Sequence, residues 1–554
     1  MGIPSYFSYI VKNHREVIKK FFSKKENEKE GMEVNNLYLD CNSIIYDAVR
    51  SIDFTKNTED DGITEIKLDS HQRIFRNVIA KIEEYISIVA PNDTVIVAFD
   101  GVAPVAKLEQ QRERRYKSWY QNEISKSIFK NARPDAWNTT AITPGTKFMT
   151  ELNNTIQNHF KQPTKYGLKQ LIISTSDIVG EGEHKIFKWI RKNSESHKDK
   201  VTVIYGLDAD LIMLSINHLP ICPNIYLFRE TPEFIKSIDS SLEPNQHYML
   251  NIPMLAMFIG VSMNLYEIGD AECNYKNITY DYIFLCFFLG NDFMPHFPAI
   301  NIRTGGIDKL LNAYKATLGG TGQYLTENDG KKIIWKNLRK LVEFLVEREE
   351  DYLKHEMKLR DRREKNTYYP IDTPEQKYTK FDAIPCYERE IEKYVNPYKE
   401  GWQDRYYTVL FKMDVDEDRK KQVCMNYLEG LEWTTKYYSD DCCHWRWCYQ
   451  YHYPPLLCDL IRFMPYFDTE LIPKNNTVAV KPLVQLCYVL PEKSLSFLPE
   501  KLYLKLKSEK SHWYSTDFEF IWAYCRYFWE AHVDLPEIDI EELENLVEDV
   551  MVVK

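Results

Sequence analysis

Residues 94–100, TVIVAFD, are a run of apolar and β-branched residues that ends in an aspartate. The same pattern recurs in NLYLD (36–40), LIISTSDIVGEGE (171–183) and VTVIYGLDAD (201–210). Short runs of this composition predict strands that are buried on both faces, as in a parallel sheet. Because the carboxyl ends of parallel strands meet at one crevice of an open α/β sheet, we expect the acidic residues after these strands to gather there.

Segments with helical spacing separate these strands, at 70–89, 147–160 and 183–194. Alternating strands and helices predict a doubly wound α/β domain with a mostly parallel sheet over residues 1–320. The Gly-rich stretch LGGTGQ at 318–323 marks its end.

The rest of the chain is predicted to form two further parts. In residues 321–397, apolar spacing from 331 to about 365 predicts one long, partly projecting helix. Its charged run at 347–365 is expected to be a solvated face, with a nucleic-acid contact as the alternative. Residues 370–397 are rich in Pro and Tyr and predict an irregular connection. Residues 398–554 are aromatic-rich and predicted to be mostly helical.

Composition limits the class of protein. The chain has 554 residues and 44% hydrophobic content, which excludes a disordered protein. Its net charge of -11 argues against a surface coated in phosphate-binding residues, but a local basic groove is compatible with it. The 12 cysteines contain no pair of CxxC motifs. A metal site is conceivable only where Cys442, Cys443 and Cys448 lie near His444, and buried or free thiols are the favoured interpretation.

Targeting signals are weak. The first residues, MGIPSYFSYI, lack the apolar core of a signal peptide, and Tyr6 spoils the myristoylation motif that Gly2 begins. No apolar stretch reaches membrane-spanning length. We therefore expect a soluble, intracellular protein with no membrane contact, in the cytoplasm, with the nucleus as the alternative. We also expect a monomer.

Seven acidic residues follow or closely adjoin the apolar runs: Asp40, Asp100, Glu181, Glu183, Asp208, Asp210 and Asp292. Carboxylates crowded in one crevice resist ionisation unless hard cations neutralise them, so Mg²⁺ is the first expectation, with Mn²⁺ as the alternative. Two such ions about 3.5 to 4 Å apart can activate water and stabilise the charge of phosphodiester hydrolysis.

The spacing within this set carries further information. Glu181 and Glu183, like Asp208 and Asp210, are two residues apart, so each pair points to one side of an extended segment. For a single acidic residue, a helix cap or turn is the ordinary alternative. That alternative is strongest for Asp100 and Asp292, which lie in turn-like sequences.

A candidate phosphate-binding face follows Asp100. Four residues within roughly a 100° arc of one helix form it: Lys107, Gln111, Arg114 and Arg115. Arginine binds phosphate through paired hydrogen bonds and lysine adds a point charge, so this face suits a terminal phosphate. The alternative is a solvated amphipathic helix. Because Asp100 lies nearby in the sequence, we favour phosphate binding over that alternative. Arg112 and Lys117 fall outside the arc and are expected to be general electrostatic or solvent-facing residues.

The ordered motifs resemble those of the Xrn1/Rat1 family of 5′-to-3′ exoribonucleases. The matching stretches are NLYLDCNSIIYD, FDGVAPVAKLEQQRERR, ITPGTKFM, GEGEHKI, IYGLDADLIML, FFLGNDFMPHFP, NYLEGLEWTTKYYSD and WRWCYQYHYPP. The resemblance implies a sheet of the 5′-nuclease type (PIN/FEN-like), metal ligands at the seven acidic residues and a 5′-phosphate pocket at the four-residue face. It also implies Mg²⁺-dependent, processive removal of mononucleotides from single-stranded RNA with a 5′-monophosphate, in RNA decay.

The resemblance assigns further residues around the site. Asn42 matches a polar active-site position, and Tyr46 stands where the family usually has a histidine that stacks on a base. The stacking partner is expected to be Trp445 or Trp447 of the second region, which in the family closes the site. Family members continue into further domains, so this chain looks like a minimal catalytic body.

Two alternatives remain open from the sequence. One is a structure-specific 5′ nuclease acting on DNA, whose superfamily shares the acidic sheet and the basic helix. GEGEHKI and the second region favour an RNA exonuclease over it. The other is a catalytically inactive RNA-binding scaffold, against which the complete carboxylate set argues.

Overall fold

The computed structural model describes residues 3, 5–23, 31–52, 69–130, 137–206, 208–231, 233–263, 275–414 and 416–552. Its main sheet has seven strands in the order β1-β7-β6-β5-β2-β3-β4. The strands are β1 (Ile18–Lys20), β2 (Asn36–Asp40), β3 (Thr94–Ala98), β4 (Gln170–Ser174), β5 (Thr202–Tyr205), β6 (Ile225–Glu230) and β7 (His247–Asn251). Strands β2 to β6 are parallel, while β7 and β1 pair antiparallel at one edge.

The helices of the α/β part are α1 (Tyr6–Asn13), α2 (Asn42–Arg50), α3 (Ser70–Val89), α4 (Val105–Phe129), α5 (Lys147–His159), α6 (Gly182–Lys192), α7 (Ser194–His197), α8 (Asp210–His218), α9 (Ile252–Met263), α10 (Tyr275–Phe287) and α11 (Gly306–Thr317). The later helices are α12 (Trp335–Asn366), α13 (Pro374–Asp382), α14 (Glu390–Val395), α15 (Trp402–Leu410), α16 (Glu417–Ser439), α17 (Leu457–Phe463), α18 (Pro482–Val489), α19 (Glu500–Glu509) and α20 (Ile540–Val552). Two short hairpins pair β8 (Thr326–Glu327) with β9 (Lys332–Ile333) and β10 (Glu519–Ile521) with β11 (His532–Asp534).

The strand order places a crevice at the centre of the sheet. From β2 the chain moves outward through β3 to β4, then crosses to β5 on the other side of β2. Such a reversal separates the loops that follow β2 and β5, and ligands bind at this point in open α/β sheets. The predicted doubly wound, mostly parallel fold is confirmed.

Alternate residues of the central strands enter different cores. Leu37 and Leu39 of β2 face one hydrophobic core, which also contains Val78 of α3. Tyr38 faces the other, with Ile186 of α6. Because a strand sends successive side chains to opposite faces, apolar residues at nearly every position are what burial between two helical layers requires.

The second core continues far beyond the sheet. It takes residues from all three predicted parts of the chain, among them Leu345 of α12, Trp433 of α16 and Ile521 of β10. The later helices therefore pack on the α/β part through a continuous apolar interior, and the aromatic-rich region is mostly helical, as predicted.

Two expectations for the middle segment need correction. The charged run of α12 is not simply a solvated face, because Glu349, Glu356 and Arg360 are buried. The Arg360 guanidinium donates to both carboxylate oxygens of Glu392 on α14, at 2.8 and 2.6 Å. Residues 370–397 are also not irregular throughout, since they contain α13 and α14. An ion pair holds Arg360, while hydrogen bonds from backbone N–H groups and from the Thr304 hydroxyl hold Glu349 and Glu356. A charge pattern alone cannot distinguish such buried residues from solvated ones.

The C-terminal helices hold the start of α4. Val102 and Leu108 belong to a separate hydrophobic cluster with residues of α18, α19 and α20. Arg112, expected to be a general electrostatic or solvent-facing residue, is instead buried and donates to the backbone oxygens of Trp513 and Pro536, at 3.0 and 2.8 Å.

In the described part of the chain, no helix combines the length and apolarity needed to cross a membrane.

Candidate active site

The loops after the central strands bring the predicted acidic residues together. Asp40 ends β2 and Asp100 follows β3 by two residues. Asn42, the first residue of α2, connects the two loops: its Nδ2 donates to Asp100 Oδ2 at 2.5 Å, and its Oδ1 accepts from the Asp100 N–H at 3.0 Å. The short strand-to-helix connection therefore fixes the orientation of the Asp100 carboxylate.

Gly182 lets α6 approach these two carboxylates closely. Its backbone N–H donates to Asp100 Oδ1 at 2.7 Å. A Cβ at this position would lie 2.6 Å from Asp40 Oδ1 and 3.4 Å from Asp100 Oδ1. Only glycine fits between the helix and the carboxylates without displacing one of them.

The two closely spaced acidic pairs lie at helix starts. Glu181 occupies the N-cap position of α6 without a side-chain capping bond, and Glu183 lies in the first turn of that helix. Asp210 is the first residue of α8. The predicted extended segments are thus wrong for both pairs. A helix N-terminus has exposed N–H groups and a partial positive charge, so it is a more favourable place for carboxylates than a strand.

Asp208, Asp210 and Asp292 form the tightest acidic group. One oxygen from each lies within 4.8 Å of the others. Asp292 follows α10 in the loop that begins with Gly290, whose φ of 82° suits glycine. This loop delivers a carboxylate from outside the parallel strands to the same crevice.

Ionisation of this set requires a counter-charge. Burial, reinforced by repulsion from neighbouring carboxylates, raises the pKa of four members: Asp40, Asp100, Glu183 and Asp210. For Asp210 the pKa reaches about 8. Within the described residues, the buried Oδ1 of Asp40 has no hydrogen-bond partner. Crowded oxygen donors with too little positive charge around them fit a divalent cation with oxygen ligands.

Lys107 lies inside the acidic group. Its Nζ is 2.7 Å from Glu181 Oε2 and 2.6 Å from Asp292 Oδ2. Burial alone lowers the pKa of Lys107, but Asp292 and Glu181 outweigh it and raise that pKa well above its usual value. In this structure Lys107 is a buried counter-ion, at the junction between the carboxylates and the predicted phosphate-binding face.

Lys107 lines a cavity with a volume of about 730 Å³. The other residues of the predicted phosphate-binding face, Gln111, Arg114 and Arg115, line it too. Arg115 donates to Thr143 Oγ1 at 2.7 Å and to Gln111 Oε1 at 3.5 Å, and burial lowers its pKa to about 10. Arg114 is exposed. Every one of the seven acidic residues except Asp210 also lines this cavity. The structure thus brings the two predicted groups into one chamber.

The predicted aromatic partners are only partly brought together. Tyr46 of α2 lines the cavity, but neither Trp445 nor Trp447 does. Trp447 is buried, stacks on Trp433 at 5.2 Å between ring centroids and donates from Nε1 to Glu429. Trp445 contributes backbone contacts, accepting from the Val105 N–H at 3.0 Å. The structure therefore corrects the prediction that Trp445 or Trp447 lines the site together with Tyr46.

Other aromatic residues of the second region occupy the cavity wall. They are Tyr449, Tyr451 and Trp529. Their sequence context resembles that of the buried aromatic residues around them. Only the tertiary structure distinguishes them.

Sequence reasoning does not single out the tyrosines that support the acidic group. Tyr437 and Tyr438 at the end of α16 donate to Glu181 Oε1 at 2.8 Å and to Asp210 Oδ1 at 2.7 Å. Tyr437 also stacks on His184, with ring centroids 3.9 Å apart. Adjacent tyrosines near a helix end are typical of core packing, so no local signal indicates this role.

The candidate zinc ligands of the second region do not cluster. Neither group of metal-binding side chains found in the described residues contains a cysteine. Cys442, Cys443 and Cys448 form no disulfide, and burial raises the pKa of each thiol. The favoured interpretation, buried or free thiols, is consistent with this arrangement.

Comparison with known proteins decides the family. The model of the XRN 5'-3' exonuclease N-terminus matches residues 1–231, and that of the Xrn1 helical domain matches residues 272–385 and 373–552. This chain belongs to the Xrn family. The first of these segments contains six of the acidic residues in the crevice, and the second contains Asp292 with the supporting tyrosines.

Sequence similarity to individual relatives covers most of this chain. It is 26% identical to the 5'-3' exoribonuclease 2 homolog of Drosophila melanogaster, over 98% of this chain and 70% of the relative. It is also 26% identical to 5'-3' exoribonuclease 1 of Saccharomyces cerevisiae, over 90% of this chain. That match spans only 40% of the yeast protein. The similarity thus includes both family segments.

Proposed function

We propose that this chain is a processive 5′-to-3′ exoribonuclease that acts in RNA decay, including mRNA decay. It removes nucleoside 5′-monophosphates from single-stranded RNA that carries a 5′-monophosphate. The observation that carries the proposal is the shared cavity, whose wall holds six crowded carboxylates and a cationic helix face side by side. The names of the relatives support the same activity.

The acidic group would hold the metal ions through Asp40, Asp100, Glu181, Glu183, Asp208, Asp210 and Asp292. We propose Mg²⁺, with Mn²⁺ as the alternative, because hard cations prefer carboxylate oxygen ligands. When bound, two such ions supply an activated water and stabilise the charge on the leaving oxygen. Asn42, Tyr437 and Tyr438 orient three of the carboxylates through the hydrogen bonds described above.

The helix face would fix the direction of degradation. Gln111, Arg114 and Arg115 bind the 5′-phosphate, while Lys107 connects that subsite to Glu181 and Asp292. A single phosphate fits these few donors, whereas a cap or a triphosphate brings more volume and charge. Tyr46 offers a stacking surface for a base near the 5′ end, worth about 1 to 3 kcal/mol.

The function is tested with three RNAs of one sequence that differ only in their 5′ end: monophosphate, triphosphate and hydroxyl. With Mg²⁺, we expect mononucleotides from the monophosphate RNA and little product from the other two. Equal rates on all three ends contradict the phosphate subsite. Preference for a DNA flap over RNA supports the structure-specific DNA nuclease instead.

Two variants separate catalysis from end recognition. Asp208→Ala removes an oxygen ligand, so turnover is lost while RNA binding persists. Its control is Asp177→Ala, an acidic residue of a neighbouring loop that does not line the cavity. Binding without turnover in the wild type identifies the inactive scaffold. Arg114→Ala weakens the preference for monophosphate ends, and Lys126→Ala, an exposed cation on the same helix, leaves it unchanged.

A further inference from the structure

A second group of metal-binding side chains lies on the cavity wall, apart from the carboxylates. Glu113, His452 and His532 each offer a ligand atom, and these atoms lie within 4.8 Å of one another. They come from three separate parts of the chain: α4, the segment before Pro454 and β11. All three side chains line the cavity.

The contacts within this group are close. His452 Nδ1 is 3.3 Å from Glu113 Oε1. The two imidazole rings stack with centroids 5.2 Å apart and an interplanar angle of 29°. The Lys117 Nζ lies 3.9 Å from the other carboxylate oxygen of Glu113, Oε2. That ammonium donates to the backbone oxygen of Ala531 at 2.8 Å, so a separate contact holds it.

The ionisation states already suit two of the three ligands. Burial lowers the pKa of His532 to about 3, with the charge of His452 adding to the effect, so this imidazole is neutral at neutral pH. Although burial raises the pKa of Glu113, the hydrogen bond and charge of His452 outweigh it and lower that pKa to about 2. Burial lowers the pKa of His452, but the contact with Glu113 outweighs burial and raises that pKa. A metal ion, which needs neutral imidazoles, would therefore compete with a proton there.

The group is separate from the acidic site. It shares no residue with the seven acidic residues. Lys107 and Glu113 are six positions apart on α4, so they lie roughly 120° apart around the helix axis. One helix therefore presents the phosphate-binding face in one direction and Glu113 in another.

We propose that Glu113, His452 and His532 form a second metal site, for a divalent transition-metal ion such as Zn²⁺. Two imidazoles and one carboxylate are a ligand set that zinc uses with a fourth position left open. Imidazole suits zinc, copper, iron or nickel, whereas magnesium takes oxygen ligands. Because the three side chains line the cavity, an ion bound by them would lie at its wall.

Metal binding itself is the test, so its outcome does not depend on nuclease activity. Cobalt(II) serves as the spectroscopic probe, since nitrogen and oxygen ligands give it a visible absorption that changes with coordination. We titrate Co²⁺ into the full chain in excess Mg²⁺, which occupies oxygen-ligand sites, and then displace it with Zn²⁺. The expected result is one bound Co²⁺ per chain that Zn²⁺ displaces.

Variants identify the ligands. His532→Gln and His452→Gln should each weaken Zn²⁺ binding at least about 10-fold to 100-fold, because even second-layer partners of metal ligands have effects of that size. Asp208→Ala and His444→Ala, outside the group, should leave it unchanged. Loss of binding in Asp208→Ala but not in His532→Gln overturns the proposal, as does absence of Co²⁺ absorption in the wild type.

A measurement on unmodified protein guards against misfolded variants. Zn²⁺ bound only to the folded state raises the melting temperature with increasing concentration. We expect that rise in the wild type and in Asp208→Ala, with Mg²⁺ present throughout. A wild-type protein whose melting temperature is insensitive to Zn²⁺ contradicts the site, whatever the variants do.

Discussion

Gly182→Ala tests the geometry of the acidic site with a single methyl group. The added Cβ would lie 2.6 Å from Asp40 Oδ1 and 3.4 Å from Asp100 Oδ1. The contact with Asp40 is about 0.8 Å shorter, so the clash is with that carboxylate. The Asp40 carboxylate is easier to displace, because its Oδ1 lacks a hydrogen-bond partner in the described residues, whereas the Asp100 carboxylate accepts two hydrogen bonds. We therefore expect the Asp40 carboxylate to move by somewhat less than about 1 Å.

A displacement of that size is costly for catalysis but not for folding. A misplacement of about 1 Å can lower a rate about 100-fold. That factor corresponds to about 2.7 kcal/mol of activation free energy. Stability should hardly change, because alanine gains up to about 1 kcal/mol over glycine in a helix and offsets part of the contact. The crowded carboxylates also repel one another less when one moves away.

The assay is single-turnover degradation of 5′-monophosphorylated RNA, with thermal unfolding measured in parallel. Gly322→Ala is the control: a Cβ there meets nothing within 4 Å, but its φ of 69° costs about 1 to 2 kcal/mol. The control should lose stability and keep its rate, whereas Gly182→Ala should lose rate with little change in stability. If Gly182→Ala retains its rate within a factor of about three, the close approach of α6 to Asp40 does not matter for turnover.

Three further predictions concern other contacts. Lys107→Met leaves Glu181 and Asp292 without their buried counter-ion, so stability in chelator should fall by about 3 to 5 kcal/mol, and an unchanged denaturant midpoint contradicts the ion pair. Tyr46→Ala should lower the degradation rate about 10-fold while Tyr46→Phe preserves it, and equal rates in both variants argue against stacking. Burial raises the pKa of Glu349 to about 7, so its contribution to stability is full below about pH 4 and is lost as pH rises to 7. Glu349→Gln should flatten the fall of melting temperature over that range, and an identical slope rules out this titration.

The sequence predicted the sheet well because buried parallel strands leave a strong local pattern. Helix α3 also begins and ends where its apolar spacing indicated, at Ser70 and Val89. Its start is set by Asp69, whose side chain accepts from the Gln72 N–H at 2.8 Å. The limits predicted for the three parts of the chain, at 320 and 397, stay a prediction.

The sequence could not predict which side chains of the second region are buried in the core and which face the cavity. Trp447 is buried because Gly430 of α16 leaves room for it: a Cβ there would meet Met294 Sδ at 2.2 Å and the Trp447 ring at 2.9 Å. Met294 is far from Gly430 and Trp447 in the chain, so the sequence around the two later residues does not contain the signal for this packing. An aromatic cluster predicts burial, but not which ring faces a cavity.

The second family segment, residues 272–385 and 373–552, contributes directly to the acidic site. The hydroxyls of Tyr437 and Tyr438 orient Glu181 and Asp210, and the loop after α10 supplies Asp292. Lys107 then ties Asp292 to Glu181, which belongs to the other family segment. Because carboxylates that repel one another need fixed partners to keep a common geometry, neither family segment alone contains a complete site. The wall of the cavity and the arrangement of its carboxylates therefore depend on the same tertiary contacts.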